Sequence, residues 1–369
     1  MKRTIIILII ILVAASCNQA SKNNADETTD TICEGAPANE TFNTILQQLG
    51  LECKDCYLEF VSEQTVPANE DLTIWVIPKI ISLEKDNYNN ESFSLDCYVL
   101  LADTKTGKVV SRHYTPDAYS SDAYMLTGIG IDTLDYRLND NKIIFGISSG
   151  YNGSSGVNPS GHRSRELFVQ QNDSLLPVLS YTAREYRGEN DGGANGNGWF
   201  EEYNTRLVAT DHKSNGFPDL TLFTDYKFEE SEQNEVVRDS ISSDSIQLFR
   251  YTTNTYKGVK KIEGTVCEEI RDGYGKKKCY YFGKTLAEVY QIIYKENENS
   301  LQRYMQPELP SEDLEYKMIT HEDVDSLTIN YNYKNKKNLN LEFSTDMGVE
   351  YCIFNEKENC TIFIYDYHD

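Results

Sequence analysis

A change of hydrophobic period restricts this chain more than any other feature. Over most of its length, short β-branched or aromatic runs such as "TIWVIPKIISL", "NKIIFGISSG" and "DLTLFTDYKF" are separated by Gly, Asn, Asp and Lys turns. Runs of this length and spacing suit antiparallel strands joined by tight connections. A mainly β region, an antiparallel sandwich or barrel-like domain, is therefore expected over residues 41–280. Two segments depart from the pattern. "ETFNTILQQLG" sets Phe42, Ile45, Leu46 and Leu49 at helical spacing before Gly50. "KTLAEVYQIIYKEN" places Leu286, Val289, Tyr290 and Ile293 on one helical face behind a Thr285/Glu288 capping box. Alternation returns in "DSLTINYNYKNKKNLNLEF", so residues 281–369 are expected to form a small α+β domain, one helix laid on an antiparallel sheet.

The N-terminus bears on location. "MKRTIIILIIILVAASC" has a cationic start at Lys2 and Arg3, an apolar stretch too short to span a bilayer comfortably, and small residues leading to Cys17. This order resembles a bacterial lipoprotein signal, with Ala14 where Leu is usual. The resemblance implies a signal peptide at 1–16, lipidation of Cys17 and a partner in the membrane itself, reached through the anchor. An ordinary cleaved signal peptide and a short anchor helix are the alternatives. Residues 17–40 are polar and read as a flexible tether. Envelope residence follows, with the leaflet undetermined.

Cysteine usage fits an oxidising compartment. Apart from Cys17 there are Cys33, Cys53, Cys56, Cys97, Cys267, Cys279, Cys352 and Cys360. Folding "VCEEIRDGYGKKKCYY" about Gly273 sets Cys267 opposite Cys279 and two Glu opposite two Lys, so charge pairing and a disulfide favour one register. Folding "VEYCIFNEKENCTIFIY" about Glu356 would likewise bring Cys352 to Cys360. Cys53 and Cys56 could bridge each other, act as a redox pair, or pair separately with Cys33 and Cys97. A redox pair normally opens a helix, whereas this one follows a helix, which favours structural pairing.

The formal net charge is −23, and because Lys2 and Arg3 lie within 1–16, removing that segment takes it to −25. Such acidity opposes nucleic acid and favours cations or basic partners. Motifs for chemistry are sparse. In "DHKSNGFPDL", Asp211, Asn215 and Asp219 occupy calcium-loop positions, but Lys213 puts an ammonium where a ligand is needed, so an Asn-Gly hairpin turn is expected. No cofactor is expected, and calcium at that loop is the one exception entertained. Gly146-Ile147-Ser148-Ser149-Gly150 fits a hydrolase elbow, yet "YNGSSGVNPSG" follows and cannot supply the required helix. Residues 148–165 and 187–199 are rich in Gly, Asn and Ser and read as long loops. Asp-(Ser/Thr)-apolar triplets resemble an O-glycosylation acceptor sequence of some Gram-negative lipoproteins, Ser240 and Ser245 being the best placed. A turn leading into a strand accounts for several of them.

"SDAYMLTGIGIDTLDYRL", "FGISSGYNGSSGVNP", "ELFVQQNDSLLPVL", "NGFPDL" and "LFRYTTNTYKG" resemble segments of an uncharacterised family of bacterial lipoproteins and secreted β proteins, over residues 95–260. The resemblance implies a β domain in the envelope and carries no activity. The expected function is a lipid-anchored binding module for a protein or glycan ligand. The alternatives are a surface hydrolase acting on glycans or peptides, and an acidic periplasmic inhibitor or immunity protein of a basic enzyme.

Overall fold

The computed structural model describes residues 39–67, 69–87, 91–132, 142–192, 196–271, 275–296, 302–318, 326–345 and 348–367, which belong to one compact unit. The segment expected to be a signal (1–16), Cys17, Cys33 and residues 18–38 of the expected tether lie outside them, and the last two residues of the expected tether, Asn39 and Glu40, begin a helix. Among the described residues no helix is long and apolar enough to cross a membrane.

Helix α1 (Asn39–Leu49) forms as its spacing requires and stops at Gly50, whose φ of +68° is left-handed. Twelve strands follow: β1 (Ser62–Val66), β2 (Asn69–Lys85), β3 (Glu91–Asp103), β4 (Val109–Ser121), β5 (Tyr124–Asp132), β6 (Ile144–Gly153), β7 (Ser160–Gln171), β8 (Ser174–Asn190), β9 (Gly198–Ser214), β10 (Phe217–Glu232), β11 (Glu235–Thr252) and β12 (Thr255–Val259). They form one sheet in the order β1-β2-β3-β4-β8-β9-β10-β11-β12, with β7, β6 and β5 branching from β8. Every pairing is antiparallel except a single parallel bridge, Arg112 to Ser174, and the sheet does not close into a barrel.

The unbroken apolar stretch of β2 is explained by cover on both faces. Ile74 and Val76 join Val99 and Leu101 of β3 in a core with Leu126, Ile129, Phe145 and Phe168 from β5–β7. Trp75 and Ile77, pointing the other way, pack with Leu100 under Phe42, Ile45 and Leu46 of α1. The Phe42 and Trp75 rings stack at 5.6 Å.

A second sheet holds β13 (Gly264–Arg271), β14 (Gly275–Phe282), β15 (Leu314–Met318), β16 (Leu327–Asn335), β17 (Asn338–Ser344), β18 (Val349–Glu356) and β19 (Cys360–Tyr367), in the order β13-β14-β19-β18-β17-β16-β15. It starts earlier than residue 281, because hairpin β13–β14 pairs with the final strand rather than with β12. Helix α2 (Leu286–Glu296) lies on this sheet. Thr285 and Glu288 close the capping box, Glu288 N to Thr285 Oγ1 at 3.3 Å and Thr285 N to Glu288 Oε2 at 2.8 Å. Its buried Leu286, Val289, Tyr290 and Ile293 meet Ile329, Tyr331, Leu341 and Phe354. A smaller cluster joins the two sheets through Phe223, Leu248, Val266, Tyr280 and Phe282.

Hairpin β13–β14 has the expected register, Cys267 opposite Cys279, Glu268 opposite Lys278 and Glu269 opposite Lys277, and the two cysteines are bridged. The pairing of Cys352 with Cys360 is corrected. Strands β18 and β19 turn at Glu358-Asn359, so Cys352 faces Tyr365, and both cysteines are free and buried. This register puts Phe354 opposite Phe363, rings 5.0 Å apart in the core, where the expected one would have set Phe354 against Glu358. Cys56 and Cys97 are likewise free, so the CxxC bridge and a bridge to Cys97 do not form, whereas Cys53 is disulfide-bonded.

Candidate functional site

The regions expected as long Gly-rich loops are mostly strand: residues 148–153 belong to β6, 160–165 to β7, 187–190 to β8, and 198–199 to β9. Glycine serves close strand approach here. A Cβ at Gly161 would stand 2.6 Å from both Tyr151 O and Tyr186 Oη.

These strands build a continuous face. Directly opposed residues on antiparallel neighbours point the same way, and the registers line up Tyr151, His162, Glu185, Tyr203 and Tyr226 across β6 to β10. Four strand spacings of about 4.8 Å make this row roughly 19 Å long. The Tyr151 and His162 rings stack at 5.0 Å, Tyr124 of β5 stacks on His162 at 5.5 Å, and Tyr203 lies 5.0 Å from Tyr226. All five rings are half-buried.

The next row outward is Ser160, Arg187, Glu201 and Phe228, and beyond it Trp199 stands between Glu189 and Glu230. Glu201 is only 8% exposed. Its carboxylate accepts from the Arg187 guanidinium and from Tyr226 Oη at 3.2 Å, which fixes the orientation of the Tyr226 ring. Partial burial, and then that carboxylate, raise the Tyr226 pKa. Half-exposed rings beside a fixed ion pair offer stacking surface and hydrogen-bonding groups at one level.

One step inward on the same strands Ser149 pairs with Ser164, and a second step inward Ile147 pairs with Glu166. Between these residues and Cys97, Val99, Thr115 and Tyr119 of β3 and β4 is a cavity of about 130 Å³. It also touches Ser180, an exposed residue of β8 paired with Glu166, so it reaches solvent on that side. The Glu166 carboxyl has no hydrogen bond or ion pair among the described residues, and burial alone raises its pKa. Burial pushes the Cys97 thiol up to about 12 and raises the Tyr119 phenol too. Arg165, also on the cavity wall, is matched by Asp132 at 3.2 Å.

The residues singled out from sequence go elsewhere. Asn215-Gly216 form the tight turn joining Ser214 to Phe217, with φ of +54° and +81°. The three calcium-position side chains do not converge. Asp211 Oδ1 accepts from Thr265 N at 2.6 Å, and Asn215 Nδ2 donates to Tyr251 O at 2.9 Å. Asp219, fully buried, is held by His212 Nδ1 at 3.1 Å and Arg250 Nε at 3.5 Å. The described residues contain no group of three or more His, Cys, Asp or Glu able to hold a metal. Ser148 sits in mid-strand with its Oγ 3.4 Å from Gly130 O, not on a strand-to-helix elbow. Ser240 and Ser245 lie within β11, Ser240 exposed opposite Phe228 and Ser245 part-buried opposite Thr224. The residue before Ser245, Asp244, falls at a bulge rather than at a turn.

Trp199, Tyr203, Tyr226 and Glu166 were not distinguished in the sequence. The one local signal for the three rings is alternation, which puts Trp199 and Tyr203 on one side of "GWFEEYNT" and Tyr226 with Phe228 on one side of "TDYKFEE" and leaves open whether that side is covered. Set against protein-family models, curated proteins and solved structures, the chain matches none.

Proposed function

We propose that this protein is a lipid-anchored envelope protein, held through Cys17, that binds an extended neutral glycan on the β6–β10 face. The observation that carries the reading is the row Tyr151, His162, Glu185, Tyr203 and Tyr226, four half-buried rings with Glu185 between them and the Arg187–Glu201 pair beside it. Sugar rings offer C–H faces to aromatic planes and hydroxyls to charged neighbours, so such a band suits a chain of them better than a compact ligand. The net charge of −23 disfavours polyanionic chains. A tether from a lipidated cysteine would hold the face near envelope polymers.

The test is binding to neutral oligosaccharides and to isolated cell-wall polymer. The Tyr203→Ala/Tyr226→Ala double variant is expected to bind about tenfold more weakly, the loss of two stacking contacts. No saccharide binding by the wild-type protein, or equal binding by the double variant, overturns the reading. For the anchor, Cys17→Ser should move the protein from the membrane fraction to the soluble fraction and abolish acyl-label incorporation; unchanged partition would refute lipidation at that residue.

A further inference from the structure

We infer that the cavity at Glu166 is a second binding site, one that takes the ammonium or guanidinium head of an organic cation carried on a short apolar stem. It is separate from the glycan reading, because none of its walls belongs to the aromatic row.

The chemistry of the cavity selects that ligand. A carboxyl group with no hydrogen bond or ion pair among the described residues lines a space of about 130 Å³. Such a space matches a ligand of about six heavy atoms, since an engineered cavity of about 150 Å³ takes benzene. Part of the lining is apolar, with Val99, Ile147 and Phe168, and suits methylenes. The hydroxyls of Thr115, Ser149 and Ser164 border the same space and can accept N–H bonds around a cation paired to Glu166. Among the described residues of the wall Arg165 is the one cation, and Asp132 already pairs with it. Cys97 and Tyr119 stay protonated at neutral pH, so Glu166 supplies the charge that recognises the ligand. An unpartnered carboxylate in a half-buried site gains more from a cation than an exposed one, because water screens it less. The strongly acidic chain draws cations toward it.

Two sources present this head group, a free small amine and the end of a Lys or Arg side chain of a partner protein. The experiment titrates n-butylammonium, methylguanidinium and end-blocked Lys- and Arg-containing tripeptides into the folded protein, followed by calorimetry and by NMR of side-chain methyls. Saturable one-to-one binding of at least one probe is expected, at least tenfold weaker in Glu166→Gln and unchanged in Tyr203→Ala/Tyr226→Ala. Tighter binding of a tripeptide than of the free cations assigns the site to a protein side chain, and the reverse order assigns it to a small amine. Both orders support the site. Absence of saturable binding by every probe, or equal affinity in Glu166→Gln, overturns it. Gln is nearly isosteric with Glu, and a thermal melt of the variant checks that it is folded.

Discussion

The C-terminal sheet and the β6–β10 face are written in the same alternating sequence and differ in what lies on top. In β16 and β17 the inward positions, Leu327, Ile329 and Tyr331 with Leu339, Leu341 and Phe343, are almost fully buried, because α2 covers them. In β9 and β10 the corresponding positions, Trp199 and Tyr203 with Tyr226 and Phe228, remain half-buried, and the buried group among them is a charged one, Glu201. Alternation therefore reports that a strand has a ring-bearing side. Whether that side is core or binding surface is decided by a separate element, and α2 is that element in one region only.

If this difference is physical, the largest mutational cost lies under the helix. Phe354 is fully buried with Tyr290 at 5.9 Å and Phe363 at 5.0 Å, so Phe354→Ala should destabilise by about 3–5 kcal/mol in denaturant melts. A loss below about 1 kcal/mol would mean that this core is no better packed than the open face, and the comparison would fail.

The next largest effect tests how the same sheet is held at its edge. Cys267 and Cys279, 12 residues apart, close a short hairpin. Replacing both by Ser should cost roughly 2–3 kcal/mol from the entropy returned to the unfolded chain. Cys352→Ala removes a free thiol that bridges nothing, and it should leave the response to reducing agent unchanged. A melting temperature insensitive to reductant in the wild-type protein would show that the backbone ladder and packing hold the hairpin without its disulfide.

A third, smaller effect separates cavity from core by its pH dependence. The folded-state pKa of Glu166 is raised, so the folded protein binds that proton more tightly than the unfolded chain. The associated stability is fully present below the unfolded carboxyl value and is lost as pH rises through the folded one. Glu166→Gln should therefore stabilise the protein at neutral pH and flatten the pH profile between those two values. An unchanged profile would mean that the carboxyl is solvated like a surface group.

The parts of this molecule legible in sequence are those set by neighbours along the chain. Helix α1 with its Gly50 stop, the Thr285/Glu288 cap and the Cys267/Cys279 register each depend on residues within one turn or one hairpin. The Cys352/Cys360 expectation failed although it too was local, because a register is chosen by every pair in the hairpin and the Phe354/Phe363 pair outweighs one possible bridge. The Gly-rich stretches read as loops in sequence, yet glycine also marks close strand approach, as at Gly161 beside Tyr186. The aromatic row needs four successive strand registers, and the cavity needs β3 and β4 to meet β6 and β7, and neither juxtaposition leaves a mark in any one segment.

The smallest expected effect on stability belongs to the residues given the largest role in binding. Tyr203 and Tyr226 are a cross-strand pair at 5.0 Å on a half-open face, worth a few tenths of a kcal/mol and at most about 1. Tyr203→Ala should thus melt within about 1 kcal/mol of the wild-type protein while weakening saccharide binding severalfold. Tyr331→Ala, a fully buried ring under α2, should show the opposite, a cost of several kcal/mol and no binding effect in the fraction that remains folded. Measuring both variants by melt and by binding gives four numbers, and the assignment of one face to core and the other to recognition requires them to cross. If Tyr203→Ala instead unfolds the protein as readily as Tyr331→Ala, the β9–β10 rings are a structural layer, and the row they form is not a binding surface.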